Sequence, residues 1–220
     1  MNKFTYSNPA KVYFGNGSAD DALNAELQKY GKTVMLAYGG GSIKHNGIYD
    51  EVMTLLKKAD KTVIEFSGIM SNPTYEKVQE GAVLAKTHGV DFILAVGGGS
   101  VIDCCKVISA QAALDEDIFE LEYSKGGFPS AGIPMGAIVT ASGTGSEMNG
   151  GAVITFTDKK LKAPLFGTQA SFAVLDPEYM LTVSKNQVFS GAFDTLSHAM
   201  ETYFGSSDNI MFRMIWRLPS

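Results

Sequence analysis

Two apolar segments that run directly into Gly-Gly-Gly-Ser constrain the fold of this chain more than any other feature. Residues 33–38 lead into the glycine loop 39–42, and residues 91–96 lead into the glycine loop 97–100. Near-continuous apolar runs of this length are typical of strands buried on both faces of a parallel sheet. Helical periodicity follows each loop, so the pattern predicts a repeated unit of strand, glycine loop and helix.

The same alternation continues through most of the chain. Further strands are predicted at residues 11–14, 62–66, 135–140, 151–157 and 171–175. Helices are predicted at residues 19–30, 47–59, 74–88 and 185–204, with another beginning near Val101. Because strands that alternate with helices build parallel sheets, we expect an α/β fold with a mostly parallel sheet.

Charge and cysteine content exclude several classes of protein. The 18 basic residues are outnumbered by 23 acidic ones, which disfavours nucleic acid as a partner because phosphate backbones select clustered Lys and Arg. No apolar run reaches the roughly 18 residues of a membrane span, and the first residues lack the apolar core of a signal peptide. Cys104 and Cys105 are adjacent and poorly placed for a disulfide. We therefore expect a cytoplasmic protein without membrane partners, whose two cysteines face the core.

A third glycine loop, residues 142–146, follows the predicted strand 135–140. Glycine lets the backbone approach a ligand closely, and the N-terminus of a following helix offers free N–H groups to phosphate. Ligands of open α/β sheets lie at the carboxyl ends of the strands. Three loops of this kind favour nucleotide binding over three coincidental turns. None of them is a Gly-x-Gly-x-x-Gly fingerprint or a P-loop.

The loop at 39–42 contains no acidic residue. An NAD site typically keeps a carboxylate for the ribose 2′-hydroxyl. Ser42 and Lys44 would instead admit a 2′-phosphate, which favours NADP(H). The alternative is that Lys44 is simply solvated.

Asp194 and His198 are four positions apart on a predicted helix, so their side chains project from one face. A carboxylate and an imidazole at this spacing suit one divalent ion such as Zn, Fe or Mn. A capping Asp and a surface His would also account for the pair. On the spacing alone, this structural interpretation is favoured.

Three motifs occur in an order that resembles a known family. They are Val-Gly-Gly-Gly-Ser-Val-Ile-Asp (96–103), Thr-Ala-Ser-Gly-Thr-Gly-Ser-Glu (140–147) and Asp-Thr-Leu-Ser-His (194–198). Together they resemble the iron-containing, or group III, alcohol dehydrogenases. Residues 38–44 resemble the butanol dehydrogenase branch of that family, and the likeness covers about residues 1–208.

The resemblance implies a dehydroquinate synthase-like fold. Residues 1–182 would form a Rossmann-like, parallel-sheet dinucleotide-binding domain, residues 183–208 would begin an all-helical metal-binding domain, and 209–220 would be an atypical tail. It also implies hydride transfer between NAD(P)H and a small aliphatic aldehyde or alcohol of the butanol type. Full-length family members are expected to form homo-oligomers.

The resemblance also implies the site residues. Those expected to bind the cofactor are Gly39, Gly40, Gly41, Ser42, Asn72, Gly97, Gly98, Ser100, Asp103, Thr140, Thr144, Asn149 and Lys162. Gly97, Gly98 and Ser100 would hold the pyrophosphate with Asp103 supporting that region. The loop 39–42 would lie at the adenosine ribose, and the nicotinamide side would be lined by Thr140, Thr144 and Asn149. NADP(H) would be preferred over NAD(H), because NAD preference in the family accompanies an acid in the first glycine loop.

Asp194 and His198 would be the first two ligands of an iron or zinc ion that polarises the substrate oxygen. No protein nucleophile is required, because the cofactor carries the chemistry. With the resemblance, metal ligation becomes the favoured interpretation of this pair.

Two features depart from the family. No histidine follows His198, although the family's metal site needs two more and three ligands are the usual minimum for zinc. The segment 209–220 holds both Arg residues and the only Trp, and does not resemble the family's continuation. It is interpreted either as a short docking helix or as a foreign tail from a frameshift. We therefore expect a truncated chain. The alternatives to an active dehydrogenase are an inactive NADP-binding fragment and a relative such as glycerol dehydrogenase.

Overall fold

A six-stranded parallel sheet forms the centre of the protein in the computed structural model, which describes residues 8–204. The strands are β1 (Lys11–Phe14), β2 (Thr33–Tyr38), β3 (Thr62–Phe66), β4 (Phe92–Gly97), β5 (Met135–Val139), β6 (Gly151–Phe156), β7 (Leu161–Phe166) and β8 (Phe172–Leu175). The helices are α1 (Ser18–Glu26), α2 (Ser42–His45), α3 (Ile48–Lys58), α4 (Tyr75–Thr87), α5 (Gly99–Ala113) and α6 (Lys185–Phe204).

The order of the strands places the three glycine loops side by side. The sheet runs β1-β8-β5-β4-β2-β3, and every neighbouring pair is parallel. The predicted α/β fold is therefore confirmed. Since β2, β4 and β5 are neighbours and parallel, the loops that follow them emerge at the same edge of the sheet.

Apolar layers cover both faces of the sheet. Alternate residues of a strand point to opposite faces, so Met35 and Ile93 pack on one side while Leu36 and Leu94 pack on the other. The first layer includes α4, α5 and the β6–β7 hairpin, and the second includes α1 and α3.

The two cysteines lie in the first of these layers and are fully buried, as predicted. Burial raises the pKa of the Cys104 thiol to about 12 and raises that of Cys105 as well. Both thiols are therefore held protonated in the core.

Two local predictions were wrong. Strand β7 was not predicted, and it pairs antiparallel with β6 in a separate two-stranded sheet. It contains Pro164, which cannot donate to a ladder but is tolerated in an edge strand. The first helix, predicted at 19–30, begins at Ser18 and is α-helical only as far as Glu26, and no side chain caps it.

Helix α6 differs from the other long helices because none of its described residues is buried. The chain reaches it through a short 3-10 turn at Pro177–Met180, whose first N–H groups are capped by Asp176. The predicted domain boundary at 182 falls between this turn and α6 and stays a prediction. The predicted tail 209–220 lies outside the described residues. Within 8–204, no helix combines the length and the apolar character that crossing a bilayer requires.

Candidate functional site

The three glycine loops line one cleft of about 780 Å³ at the carboxyl edge of the sheet. This volume lies within the usual range of small-molecule sites. The predicted cofactor residues on its wall are Gly39, Gly40, Ser42, Asn72, Gly97, Gly98, Ser100, Asp103, Thr140, Thr144 and Lys162. Asp194, a predicted metal ligand, lies on the same wall. The fold therefore brings together residues that are far apart in sequence.

The N-terminus of α5 opens into the middle of this cleft. Gly98 precedes the helix in an extended conformation, and no side chain caps the helix. Its first N–H groups therefore suit an anion such as a pyrophosphate. A Cβ on Gly97 would lie 2.6 Å from Cγ2 of Val101, and a Cβ on Gly98 would lie 3.4 Å from that of Ala141. Glycine at position 97 therefore lets the end of β4 pack closely against the first turn of α5, whereas a Cβ at position 98 would make only an ordinary contact with Ala141, just before the third loop.

Lys44 is not among the described residues of the cleft wall. Its Nζ donates a hydrogen bond to Oε2 of Glu65 at 3.3 Å and lies 4.4 Å from the ring centre of Tyr49. Glu65 also accepts from the hydroxyls of Tyr38 and Tyr49, at 2.6 and 2.7 Å, and these bonds lower its pKa. Lys44 is thus engaged by a neighbouring cluster. Gly41 also does not line the cleft. It precedes α2 with a left-handed φ of 103°.

The β6–β7 hairpin closes one side of the cleft. Nζ of Lys162 donates a hydrogen bond to Oδ1 of Asn72 at 2.7 Å, and Asn72 adopts a left-handed φ of 54°. The hairpin is anchored nearby, where the N–H of Thr155 donates to the carbonyl of Pro73 at 2.9 Å. Two predicted cofactor residues, 90 positions apart, therefore meet at the cleft. The remaining donors of the exposed ammonium are available to ligand oxygens.

Lys106 is the site residue that the sequence analysis missed. Its side chain is fully buried, and its Nζ donates to Oγ of Ser146 at 2.9 Å and to the carbonyl of Gly151 at 2.7 Å. It also pairs with Oδ1 of Asp103 at 3.3 Å. Burial lowers the pKa of Lys106, and the neighbouring Asp103 carboxylate opposes that shift. The signal in the sequence is a lone Lys, three residues after an Asp, within an otherwise apolar helical stretch.

The side chain of Asn149 bonds to Lys106 and to the neighbouring backbone, and it is not on the described cleft wall. Its Oδ1 accepts hydrogen bonds from Lys106 and from the N–H of Gly151, at 3.0 and 3.1 Å. Its Nδ2 donates to the carbonyl of Gly145 at 3.3 Å. The expected position of Asn149 beside the nicotinamide stays a prediction. Asp103 supports the same region, since its Oδ2 accepts from the N–H of Val153 at 3.0 Å.

Helix α6 packs on the third glycine loop and thereby presents Asp194 to the cleft. Oγ1 of Thr195 donates to the carbonyl of Gly143 at 2.9 Å. A Cβ on Gly191 would lie 2.3 Å from the carbonyl oxygen of Ser142, so only glycine allows this approach.

The predicted Asp–His pair shares one face of α6. Nε2 of His198 lies 3.8 Å from Oδ1 of Asp194, and both side chains are about half exposed. Among residues 8–204, no third His, Cys, Asp or Glu joins them as a metal-binding group. The described residues thus supply two donors, fewer than the three that hold a catalytic zinc. His198 is not on the described cleft wall.

Comparison with known proteins identifies several dehydrogenases and reductases that are similar to this chain. Probable NADH-dependent butanol dehydrogenase 2 of Bacillus subtilis is 44% identical over 211 residues, which are 95% of this chain and 54% of that protein. The NADPH-dependent aldehyde reductase YqhD of Escherichia coli is 40% identical over 207 residues, 92% of this chain and 52% of that protein. The crystal structure of NADH-dependent butanol dehydrogenase A from Thermotoga maritima superposes with a TM-score of 0.89 at 37% identity, covering 97% of this chain and 54% of that one.

This chain therefore spans about half the length of the relatives that it matches. The family described as iron-containing alcohol dehydrogenase matches residues 9–177. That match extends from the first strand of the sheet to the last and includes all three glycine loops. The chain belongs to the iron-containing alcohol dehydrogenase family.

Proposed function

We propose that this chain binds a nicotinamide dinucleotide in the cleft and is the cofactor-binding part of an oxidoreductase. The reaction would transfer hydride between NAD(P)H and a small aliphatic aldehyde or alcohol, as the names of its relatives suggest. The observation that carries the proposal is the convergence of three glycine loops and an uncapped helix N-terminus on one cleft. The bound nicotinamide would supply or accept the hydride.

The residues of the cleft would bind and orient this cofactor. The N-terminus of α5, with Gly98 and Ser100, would hold the pyrophosphate, because free N–H groups and the helix dipole favour anions there. Thr140, just before the third loop, and Thr144, within it, would contact the nicotinamide end. Lys162 would donate to cofactor oxygens from the hairpin.

For the cofactor, we propose NADP(H) in preference to NAD(H). The support is the loop 39–42, which has no carboxylate to bind a 2′-hydroxyl or repel a 2′-phosphate. Lys44 adds no support, because Glu65 engages it away from the described cleft wall. Relatives named for either cofactor occur at similar identity.

Asp194 and His198 are proposed as donors to a divalent ion, iron or zinc. Two donors do not complete a catalytic site, so no reaction step is assigned to the ion. A cytoplasmic location, expected from the adjacent and unpaired cysteines, is likewise a proposal.

Calorimetric titration of the 220-residue chain with NADPH and NADH tests the cofactor proposal. We expect both to bind, with NADPH binding more tightly, and binding of neither would refute the proposal. Turnover is then measured with butanal and NADPH in the presence of Fe²⁺ or Zn²⁺. Turnover would support the dehydrogenase assignment, whereas binding without turnover would support an inactive NADP-binding fragment. Selective oxidation of glycerol would instead indicate a glycerol dehydrogenase-like relative.

A further inference from the structure

We propose that Lys106 is a positioning residue, whose buried ammonium fixes the third glycine loop relative to α5 and so orients the nicotinamide end of the cofactor. The inference rests on the proposed function, since it assumes that the cleft holds a dinucleotide. It assigns a role in the site to a residue that does not line the described cleft wall.

The complete burial of Lys106 is the first observation. Lysine is almost never fully buried unless it is paired, because removing an ammonium from water is costly. The apolar surroundings of α5 would accommodate an uncharged side chain of similar length at lower cost. A cation at this place therefore needs a reason beyond packing.

The positions of its partners are the second observation. Its four acceptors come from α5, the third loop and the start of β6, and they are Asp103, Ser146, Asn149 and Gly151. An ammonium has three protons, so these contacts converge on one point and share its donors. Oγ of Ser146 also donates to Asp103. The cluster thus joins the helix behind the second loop to the end of the third.

The main chain of Lys106 is held in place by Gly167 and Thr168, which contact its carbonyl group. The N–H of Thr168 donates to the carbonyl of Lys106 at 3.1 Å. A Cβ on Gly167 would lie 2.5 Å from that carbonyl. The ammonium is therefore anchored to a fixed backbone, and the third loop is the partner that it positions.

The two ends of the cleft depend differently on this cluster. The third loop approaches α5 closely, since a Cβ on Gly99 would lie 3.1 Å from Oγ1 of Thr144. Thr144, proposed for the nicotinamide end, belongs to that loop, and Thr140 lies two residues before it. The loop 39–42, proposed for the adenosine ribose, follows β2, and none of the four Lys106 acceptors belongs to it. Loss of Lys106 should therefore affect the nicotinamide end selectively.

Two variants separate positioning from folding. Lys106→Met alone would leave the partly buried Asp103 without its cation, so it is combined with Asp103→Asn to remove both charges. Ser146→Ala keeps the ion pair and removes only the hydroxyl that bridges it to the loop. Lys58→Met is the matched control, because this exposed lysine pairs with Asp20 on the outer helices. Thermal unfolding of each variant checks that it is folded.

The readout is calorimetric affinity for NADPH and for 2′-phospho-ADP-ribose, which lacks the nicotinamide ring. The wild type should bind NADPH more tightly. Ser146→Ala should lose NADPH affinity by about tenfold while its affinity for 2′-phospho-ADP-ribose stays within about twofold, as expected for losing hydrogen bonds to a charged group. The double variant, which also alters Asp103, should lose at least as much NADPH affinity as Ser146→Ala. Equal losses for both ligands, no loss, or equal wild-type affinities would overturn the inference. A wild type that binds neither ligand would instead refute the proposed function itself.

Discussion

At the scale of single residues, Gly40 shows how the first glycine loop controls what the cleft holds. No atom lies within 4 Å of the position that a Cβ would take, and Gly40 does not have a left-handed φ. A side chain added here would therefore enter the cleft without straining the backbone. Gly40 therefore matters because it leaves space and adds no charge beside the ligand, and not because of its backbone conformation.

Gly40→Asp is expected to lower NADPH affinity more than NADH affinity. The new carboxylate would repel a 2′-phosphate and accept a hydrogen bond from a 2′-hydroxyl. Gly40→Asn is the control, because it adds nearly the same volume without the charge. Titration of both variants with both cofactors checks this. An equal effect of Asp and Asn would contradict the placement of the ribose at this loop.

Glu26 is a buried carboxylate whose partners were not evident from the sequence. It accepts hydrogen bonds from three side chains: Lys11, Tyr13 and Lys29. Burial raises the pKa of this carboxyl, but the three donors outweigh burial and hold the pKa below its ordinary value. Ionised Glu26 therefore contributes stability that is present above the ordinary carboxyl pKa and is lost as the pH falls through the lower folded-state pKa.

Glu26→Gln is expected to lower the free energy of unfolding at neutral pH by about 1–3 kcal/mol, because a neutral amide replaces the carboxylate that pairs with Lys11 and Lys29. The difference from the wild type should shrink as the pH falls below the folded-state pKa of Glu26. Urea unfolding across this pH range measures it. Asp60→Asn is the control and should have no measurable effect, since the Lys32–Asp60 pair is highly exposed. A constant difference at all pH values would contradict the assignment.

At the scale of elements, the sequence predicts a strand best where a single signal dominates. The apolar runs at 33–38 and 62–66 became β2 and β3 with the predicted bounds. Strand β7 was not predicted because Pro164 and three lysines, at 159, 160 and 162, interrupt its apolar pattern. The adjacency of the glycine loops could not be predicted from any one of them. It depends on the strand order, which is set by contacts between residues distant in sequence.

Gly191 tests how α6 is held against the third loop. By helix propensity alone, Gly191→Ala in the middle of α6 should stabilise the helix by up to about 1 kcal/mol. The contact with the Ser142 carbonyl should outweigh this gain, because the added Cβ would lie 2.3 Å from the oxygen. We expect faster amide exchange in α6 and loss of Asp194 from the cleft. Ser197→Ala, on an exposed part of the same helix, is the control, and slower exchange in G191A would contradict the docking.

At the scale of the whole molecule, α6 has two contrasting faces. Gly191, Asp194 and Thr195 face the third loop, whereas Phe189, Phe193, Leu196 and Met200 are largely exposed. The sequence predicted this helix at residues 185–204 from its periodicity. This chain spans about half the length of these relatives, and its described residues supply two metal donors. Residues 8–204 assemble the cleft, which we propose binds a nicotinamide dinucleotide.

Hydrogen–deuterium exchange of the full 220-residue chain, with and without saturating NADPH, tests this claim most directly. We expect slower exchange in the loops at 39–42, 97–100 and 142–146, with helices α1 and α3 on the outer face unchanged. Protection confined to other segments, or no change at any of the three loops, would contradict it.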